Sequence, residues 1–278
     1  MKKAILAAAF ALICLIADAQ ELIVIKSEHL KCDDSILVFT PSKYQCTEEY
    51  CVVPDGPLPT LFLLHGWSGC YSNWSQKSDL QDFADRYGFR IICPDGFYNS
   101  WYVNSLTEDG MQWRTFFDEE LYPQMQDRFD FVADSTFITG LSMGGHGAIN
   151  IFMDDTTRFK AAGSMSGVLD IHHTNLIESQ VTKVLGPYSP DSEAYNSQSA
   201  VQRLESMKGC TKLMIATCGY NDFYCKCTRE FDEKCCELGI PHITIYSPAT
   251  HSWRYWDFAL DLHLKLFTKI MRGDNLGY

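Results

Sequence analysis

The 278-residue sequence predicts an α/β fold in which helices cover both faces of a mostly parallel central sheet. Three observations carry that expectation. Continuous apolar runs that end in glycine, TLFLLHG (60–66) and FRIICPDG (89–96), suit strands buried on both faces. Segments with helical spacing alternate with such runs along most of the chain. A hydrophobic fraction of 46% can fill one substantial core, and no repeat, low-complexity tract or linker divides the chain.

Taken in order, residues 1–19 read as a secretory signal peptide. Two lysines precede an apolar run from Ala4 to Ala17, and the small-x-small triplet Ala17-Asp18-Ala19 predicts cleavage after Ala19. Asp18 interrupts the run before it reaches the roughly 20 apolar residues of a membrane span. Cys14 is flanked by Ile13, Leu15 and Ile16, too bulky for a lipidation site. The expected organisation is therefore a signal peptide and one domain over 20–278, secreted or periplasmic. ELIVIKSEHL (21–30) and SILVFTPSKY (35–44) predict two strands in an antiparallel hairpin or meander. After TLFLLHG, the spacing of Leu80, Phe83 and Tyr87 predicts a helix that Gly88 stops. FRIICPDG returns as a strand, and the alternation continues with a helix over 119–129, a strand over 135–139, a helix over 144–153 and a strand over 159–165. A polar, loop-rich stretch (172–199) follows. The remaining elements are a strand in KLMIATCG (212–219), a helix over 223–238, a strand in HITIYSP (242–248) and a closing helix over 253–271.

Loss of the leader removes Lys2, Lys3 and Asp18, so 23 basic residues become 21, 35 acidic residues become 34, and the charge becomes −13. A surface this acidic repels phosphate backbones and disfavours nucleic acid as a partner. Without Cys14 eleven cysteines remain, an odd number, so at least one is free or pairs between chains. Cys46 and Cys51 are close enough for a local disulfide. Cys218, Cys225, Cys227, Cys235 and Cys236 form a CxC and a CC without a second CxxC or HxxxH, which is poor zinc spacing and points to structural or disulfide roles.

The chemistry concentrates in ITGLSMGGHGA (138–148), a GxSxG match. Such a match means little alone, but here TFIT supplies a strand before it and GGHGAINIF a helix after it, the strand-turn-helix context of a nucleophile elbow. Ser142 is the expected nucleophile, and the amide of Met143 lies where a developing oxyanion would be stabilised. A serine hydroxyl needs a base to take its proton, and the base needs an orienting acid. On an elbow fold the chain order is serine, acid, histidine, with the last two on loops after later strands. His251 follows HITIYSPAT and precedes a long helix; Asp222 follows KLMIATCG. Asp191, in the polar insertion, and Asp257, in the final helix, are the less favoured candidates for the acid. The loop after His65-Gly66 should give the second oxyanion donor, the Trp67 amide, with Ser68 as its neighbour. His65 reads as a loop-shaping hydrogen bonder and His146 as a packed residue of the helix start.

HGWSG, PDGFYNSWY, GLSMGGHGA, CGYND and HSWRYW, in this order over 35–271, resemble the esterase family that includes esterase D (S-formylglutathione hydrolase), tributyrin esterases, mycolyltransferases and carbohydrate esterase family 1. The resemblance implies an α/β-hydrolase fold, the triad Ser142, Asp222 and His251, an oxyanion hole at Trp67 and Met143, and no metal or organic cofactor. Two departures stand out: Ala249-Thr250 precedes His251 where esterase D-like members often have glycine, and the helix over 223–238 is unusually rich in cysteine. PDGFYNSWYVNS resembles a pocket-forming stretch of the carbohydrate and tributyrin esterases, so Tyr98, Trp101 and Tyr102 are expected to offer aromatic surface to a sugar or aryl acyl group. The same aromatics would equally serve to pack a lid. The expected activity is an exported serine carboxylesterase acting on feruloyl or acetyl groups of plant polysaccharides. The alternatives are a short-chain carboxylesterase or S-formylglutathione hydrolase-like thioesterase, a mycolyltransferase-type acyltransferase, and an inactive carbohydrate-binding module. No stable membrane insertion is expected.

Overall fold

The computed structural model describes residues 19–42, 56–173 and 181–276. The expected leader through Asp18 and the expected Cys46–Cys51 disulfide lie outside them. Eight strands form one sheet in the order β1-β2-β4-β3-β5-β6-β7-β8. They are β1 (Gln20–Lys26), β2 (Asp33–Phe39), β3 (Thr60–Leu64), β4 (Arg90–Cys93), β5 (Thr136–Gly140), β6 (Ala161–Met165), β7 (Leu213–Gly219) and β8 (His242–Ser247). β1 pairs antiparallel with β2, and β2 antiparallel with β4; every other neighbour is parallel. The expected antiparallel entry and parallel remainder are both present.

Alternation along each central strand feeds two cores. Phe62, Leu64, Ile92 and Ile138 point to one face. Leu61, Leu63, Ile91 and Phe137 point to the other. Successive side chains on a strand face opposite ways, so a strand covered on both sides must be apolar throughout. Helices α1 (Leu80–Tyr87) and α5 (Trp253–Arg272) close the second face with Phe83, Trp256, Leu260 and Phe267. The first face is covered by α2 (Tyr122–Phe129), α3 (Met143–Asp154) and α4 (Cys225–Leu238). α1 begins where Asp79 accepts the Asp82 N–H and ends at Gly88, whose φ of 71° is the left-handed stop that the sequence predicts.

The segment expected to be one helix from Glu119 is more irregular. A short helix, Trp113–Phe116, passes into a π-helical turn at Phe117–Leu121 before α2 begins. The wide turn keeps Phe117 and Leu121 buried in the same core. The polar stretch contains short helices at Thr182–Leu185 and Glu193–Asn196. Among the described residues no helix is long and apolar enough to cross a membrane.

Register decides what meets at the carboxyl ends of the strands. β3 and β5 end level, Leu64 beside Gly140, so the loop that starts at His65 runs next to Leu141 and Ser142. β7 and β8 also end level, with Gly219 beside Ser247. The loops carrying Asp222 and His251 therefore leave the sheet side by side.

Candidate active site

Only Leu141 and Ser142 separate β5 from α3, so the chain reverses sharply. Ser142 has φ 52° and ψ −115°, a conformation that a residue with a side chain holds only under constraint. Hydrogen bonds supply the constraint. Leu141 N–H donates to Leu64 O at 3.2 Å, Ser142 N–H to Met165 O at 2.9 Å, and Gly144 N–H to Leu141 O at 2.6 Å, tying the turn to β3 and β6. Two glycines make the close crossing possible. A Cβ on Gly144 would stand 2.4 Å from Leu64 O, and one on Gly140 would stand 2.5 Å from the Gly144 carbonyl carbon.

The Ser142 hydroxyl begins a hydrogen-bonded row. His251 Nε2 is 3.1 Å from Ser142 Oγ, and His251 Nδ1 is 2.9 Å from Asp222 Oδ2 and 3.1 Å from Oδ1. A carboxylate can only accept, so Nδ1 carries the proton and Nε2 turns its lone pair to the serine. The Asp222 side chain is buried, and its Oδ1 also accepts the Tyr224 N–H at 2.8 Å. The imidazole is held in place by rings: Phe223 at 4.3 Å, Tyr224 at 5.3 Å and Trp256 at 4.8 Å, the last perpendicular to it.

Ser142 and His251 open onto a cleft of about 400 Å³ walled by Trp67, Trp101, Phe223, Tyr224, Trp253 and Trp256. Among the described residues, the amides of Trp67 and Met143 donate to no protein acceptor, and Met143 is the first residue of α3. Two free N–H groups near the serine, one at a helix N-terminus, suit a developing negative charge.

The other residues singled out in the sequence divide. Trp101 lines the cleft, although it is almost fully buried. Tyr98 is not among the residues that line the cleft: it is more than half exposed, with its ring 5.1 Å from that of Trp67, which does line it. Tyr102 does not line the cleft: it is 2% exposed, and its hydroxyl donates to His65 O at 2.8 Å. His65 donates from Nδ1 to Gly66 O at 2.8 Å and accepts the Gly96 N–H on Nε2 at 2.7 Å, so both ring nitrogens are committed to loop shape. Ser68 lines the cleft. His146 is fully buried, between Trp101 O at 3.1 Å and Gln198 O at 2.9 Å, and burial pushes its pKa down to about 4. The Cys218, Cys225, Cys227 and Cys235 thiols are buried and unpaired, and Cys236 is exposed and unpaired. Burial raises Cys218, Cys227 and Cys235 to about 12, which leaves them as inert packing groups.

Four cleft walls had no role in the sequence reading: Phe223, Tyr224, Trp253 and Trp256. Their signal was adjacency, because Phe223 and Tyr224 follow the acid directly and Trp253 and Trp256 lie two and five residues after the base.

Residues 27–267 match the model of the family described as "Putative esterase". The chain is 25% identical over 248 residues to an acetyl esterase of Caldicellulosiruptor saccharolyticus, which covers 83% of this chain and 91% of that protein. Two solved structures share the architecture. A ferulic acid esterase superposes with a TM-score of 0.74 at 23% identity, covering 91% of this chain and 98% of its own. An S-formylglutathione hydrolase from Agrobacterium tumefaciens gives a TM-score of 0.76 at 22% identity, covering 91% and 95%. At these identities the two structures establish the fold, that of the α/β hydrolases.

Proposed function

Given that this chain belongs to the esterase family and is a carboxylic ester hydrolase, we propose that Ser142, His251 and Asp222 are its catalytic triad. The observation that carries the reading is the hydrogen-bonded row from Ser142 Oγ through His251 to Asp222, open at the serine end to an aromatic cleft. Ser142 Oγ attacks the ester carbonyl as His251 Nε2 takes the hydroxyl proton. The oxyanion accepts hydrogen bonds from the Met143 and Trp67 amides. Asp222 holds the imidazolium through Nδ1–H. Collapse expels the alcohol with the proton from Nε2 and leaves an acyl-serine; water, deprotonated by the same nitrogen, then releases the acid and restores the serine.

The substrate is an acyl ester on a polysaccharide, with an acetyl or feruloyl acyl part. Support comes from the aromatic walls, which favour flat or ring-shaped groups, and from the names of two similar proteins, an acetyl esterase and a ferulic acid esterase. Trp101 serves as a substrate contact in the cleft, and Tyr98, packed against Trp67, as an outer one. The protein acts outside the cytoplasm after cleavage behind Ala19, a reading that rests on the leader alone.

The test sets wild type beside Ser142→Ala on nitrophenyl acetate, nitrophenyl butyrate, methyl ferulate and acetylated xylan. The variant should retain its fold, lose turnover by several orders of magnitude and take no fluorophosphonate label. Nitrophenyl ester hydrolysis by Ser142→Ala at the wild-type rate would remove Ser142 from the mechanism. Wild-type turnover confined to nitrophenyl esters would leave the triad standing and overturn the polysaccharide assignment.

A further inference from the structure

Far along α4 from Asp222, a second group of side chains converges. Asp232 and Cys236 lie four residues apart, on one face of the helix near its carboxyl end, and His242 opens β8 just beyond the turn. His242 Nε2 is 2.9 Å from Asp232 Oδ1 and 3.8 Å from Cys236 Sγ, and the three ligand atoms all lie within 4.8 Å of one another. Cysteine spacing alone disfavoured zinc here; the fold adds a carboxylate and an imidazole that sequence spacing did not associate with it.

We propose that Asp232, Cys236 and His242 form a binding site for a divalent transition metal, zinc being the ion whose ligand preferences it matches. Bond lengths of about 2.0–2.1 Å to nitrogen and oxygen and 2.3 Å to sulfur put tetrahedral ligand atoms roughly 3.4–3.6 Å apart. The observed N–S separation of 3.8 Å is slightly longer than that range and the N–O separation of 2.9 Å about half an ångström shorter, the length of a hydrogen-bonded ion pair, so small side-chain shifts would bring both to ligand spacing. A second observation concerns the far side of the imidazole. His242 Nδ1 donates to Ile240 O at 2.8 Å, an arrangement that fixes the ring and commits Nε2 to the cluster. The carboxyl end of a helix also carries partial negative charge, which favours a cation. Cys236 is exposed and His242 and Asp232 are partly so, which leaves an entry path and a fourth position for water.

Binding forms one Zn–S, one Zn–N and one Zn–O bond. The thiol proton leaves to solvent, as does the Nε2 proton wherever His242 is the imidazolium partner of Asp232. No electrons are exchanged. The ion would clip the end of α4 to the start of β8, closing the segment that connects the loop of Asp222 to the loop of His251.

The experiment uses the whole chain kept under a non-thiol reductant, stripped with a chelator and then given zinc or cobalt. One zinc per chain should survive gel filtration, cobalt should develop a sulfur-to-metal charge-transfer band, and zinc at a hundredfold over its Kd should raise Tm by roughly 5–10 °C. Cys236→Ser, His242→Gln and Asp232→Asn should each abolish the cobalt band or the Tm rise while hydrolysing nitrophenyl acetate like the stripped wild type. Asp232 and Cys236 are accessible, so their variants report even if His242→Gln unfolds. A wild type that retains no zinc shows that the cluster is only an ion pair beside a thiol, and zinc retained equally by the variants sites the metal on other cysteines. Either result overturns the proposal without touching the esterase reading.

Discussion

Asp222 and Tyr102 show how differently two polar side chains can serve one site. Asp222 meets His251 through both carboxylate oxygens, and its value lies in dictating which imidazole nitrogen carries the proton. Asp222→Asn keeps the shape but can donate as well as accept, so the wrong tautomer competes; kcat should fall by about 10⁴ with the circular dichroism spectrum unchanged. Steady-state kinetics on nitrophenyl acetate checks this, and a loss of only a few-fold would contradict the assigned role. Tyr102 acts at one remove: its hydroxyl holds the carbonyl of His65, two residues before Trp67. Tyr102→Phe should cost about 1–3 kcal/mol in a urea titration because a buried carbonyl loses its donor. The KM for nitrophenyl acetate should not change, whereas a residue in contact with substrate would shift it. The sequence singled out Ser142, Asp222 and His251 because motif, loop position and chain order agree, and the fold brings the three side chains together. Tyr102 was misread because composition shows an aromatic's kind and not its direction, and the φ of 60° that turns it inward has no pattern in sequence.

Among the elements, the strand-turn-helix of β5 and α3 is the most tightly specified. Its glycines sit where a Cβ would strike main chain, which cannot rotate aside. Gly144→Ala should cost about 3 kcal/mol, the upper part of the overpacking range, and also depress turnover by displacing Ser142. A denaturant midpoint close to wild type would mean that the helix shifts more easily than this geometry allows. All eight strands were legible, because apolar runs and glycine stops are local. The π-helical turn at Phe117–Leu121 was not: its wider hydrogen-bonding step serves tertiary packing of Phe117 and Leu121, and no short-range period announces it. The short helices at Thr182–Leu185 and Glu193–Asn196 were hidden for a related reason, since one turn of helix is too brief to show periodicity.

For the molecule as a whole, acid should be the weak direction. His263 is fully buried between the Thr139 and Thr217 hydroxyls, and burial pushes its pKa down to about 3; His146 is held at about 4 for the same reason. Both are neutral when folded and take protons more readily when unfolded. Their stabilisation is therefore complete above about pH 6.5 and is withdrawn as pH falls through about 4 for His146 and about 3 for His263, on the order of 3–5 kcal/mol each. His263→Gln, which can still bond both threonines, should narrow its stability gap to wild type as pH drops from 7 to 4. Urea midpoints across that range test it, and parallel curves for the two proteins would refute it. The sequence placed His263 mid-helix but gave no hint of the two strands it bridges, because those contacts span 124 and 46 residues. A last consequence concerns β8, which lies at the rim of the sheet with all six residues only partly buried. The proposed nucleophile, Ser142, follows an interior strand, but the proposed base, His251, hangs from this border. Fraying of β8 would withdraw His251 while Ser142 stayed rigid, so the enzyme could lapse into silence long before it melts. Hydrogen exchange along β8 and the rate of fluorophosphonate labelling should then rise and fall in opposition as temperature is varied below Tm.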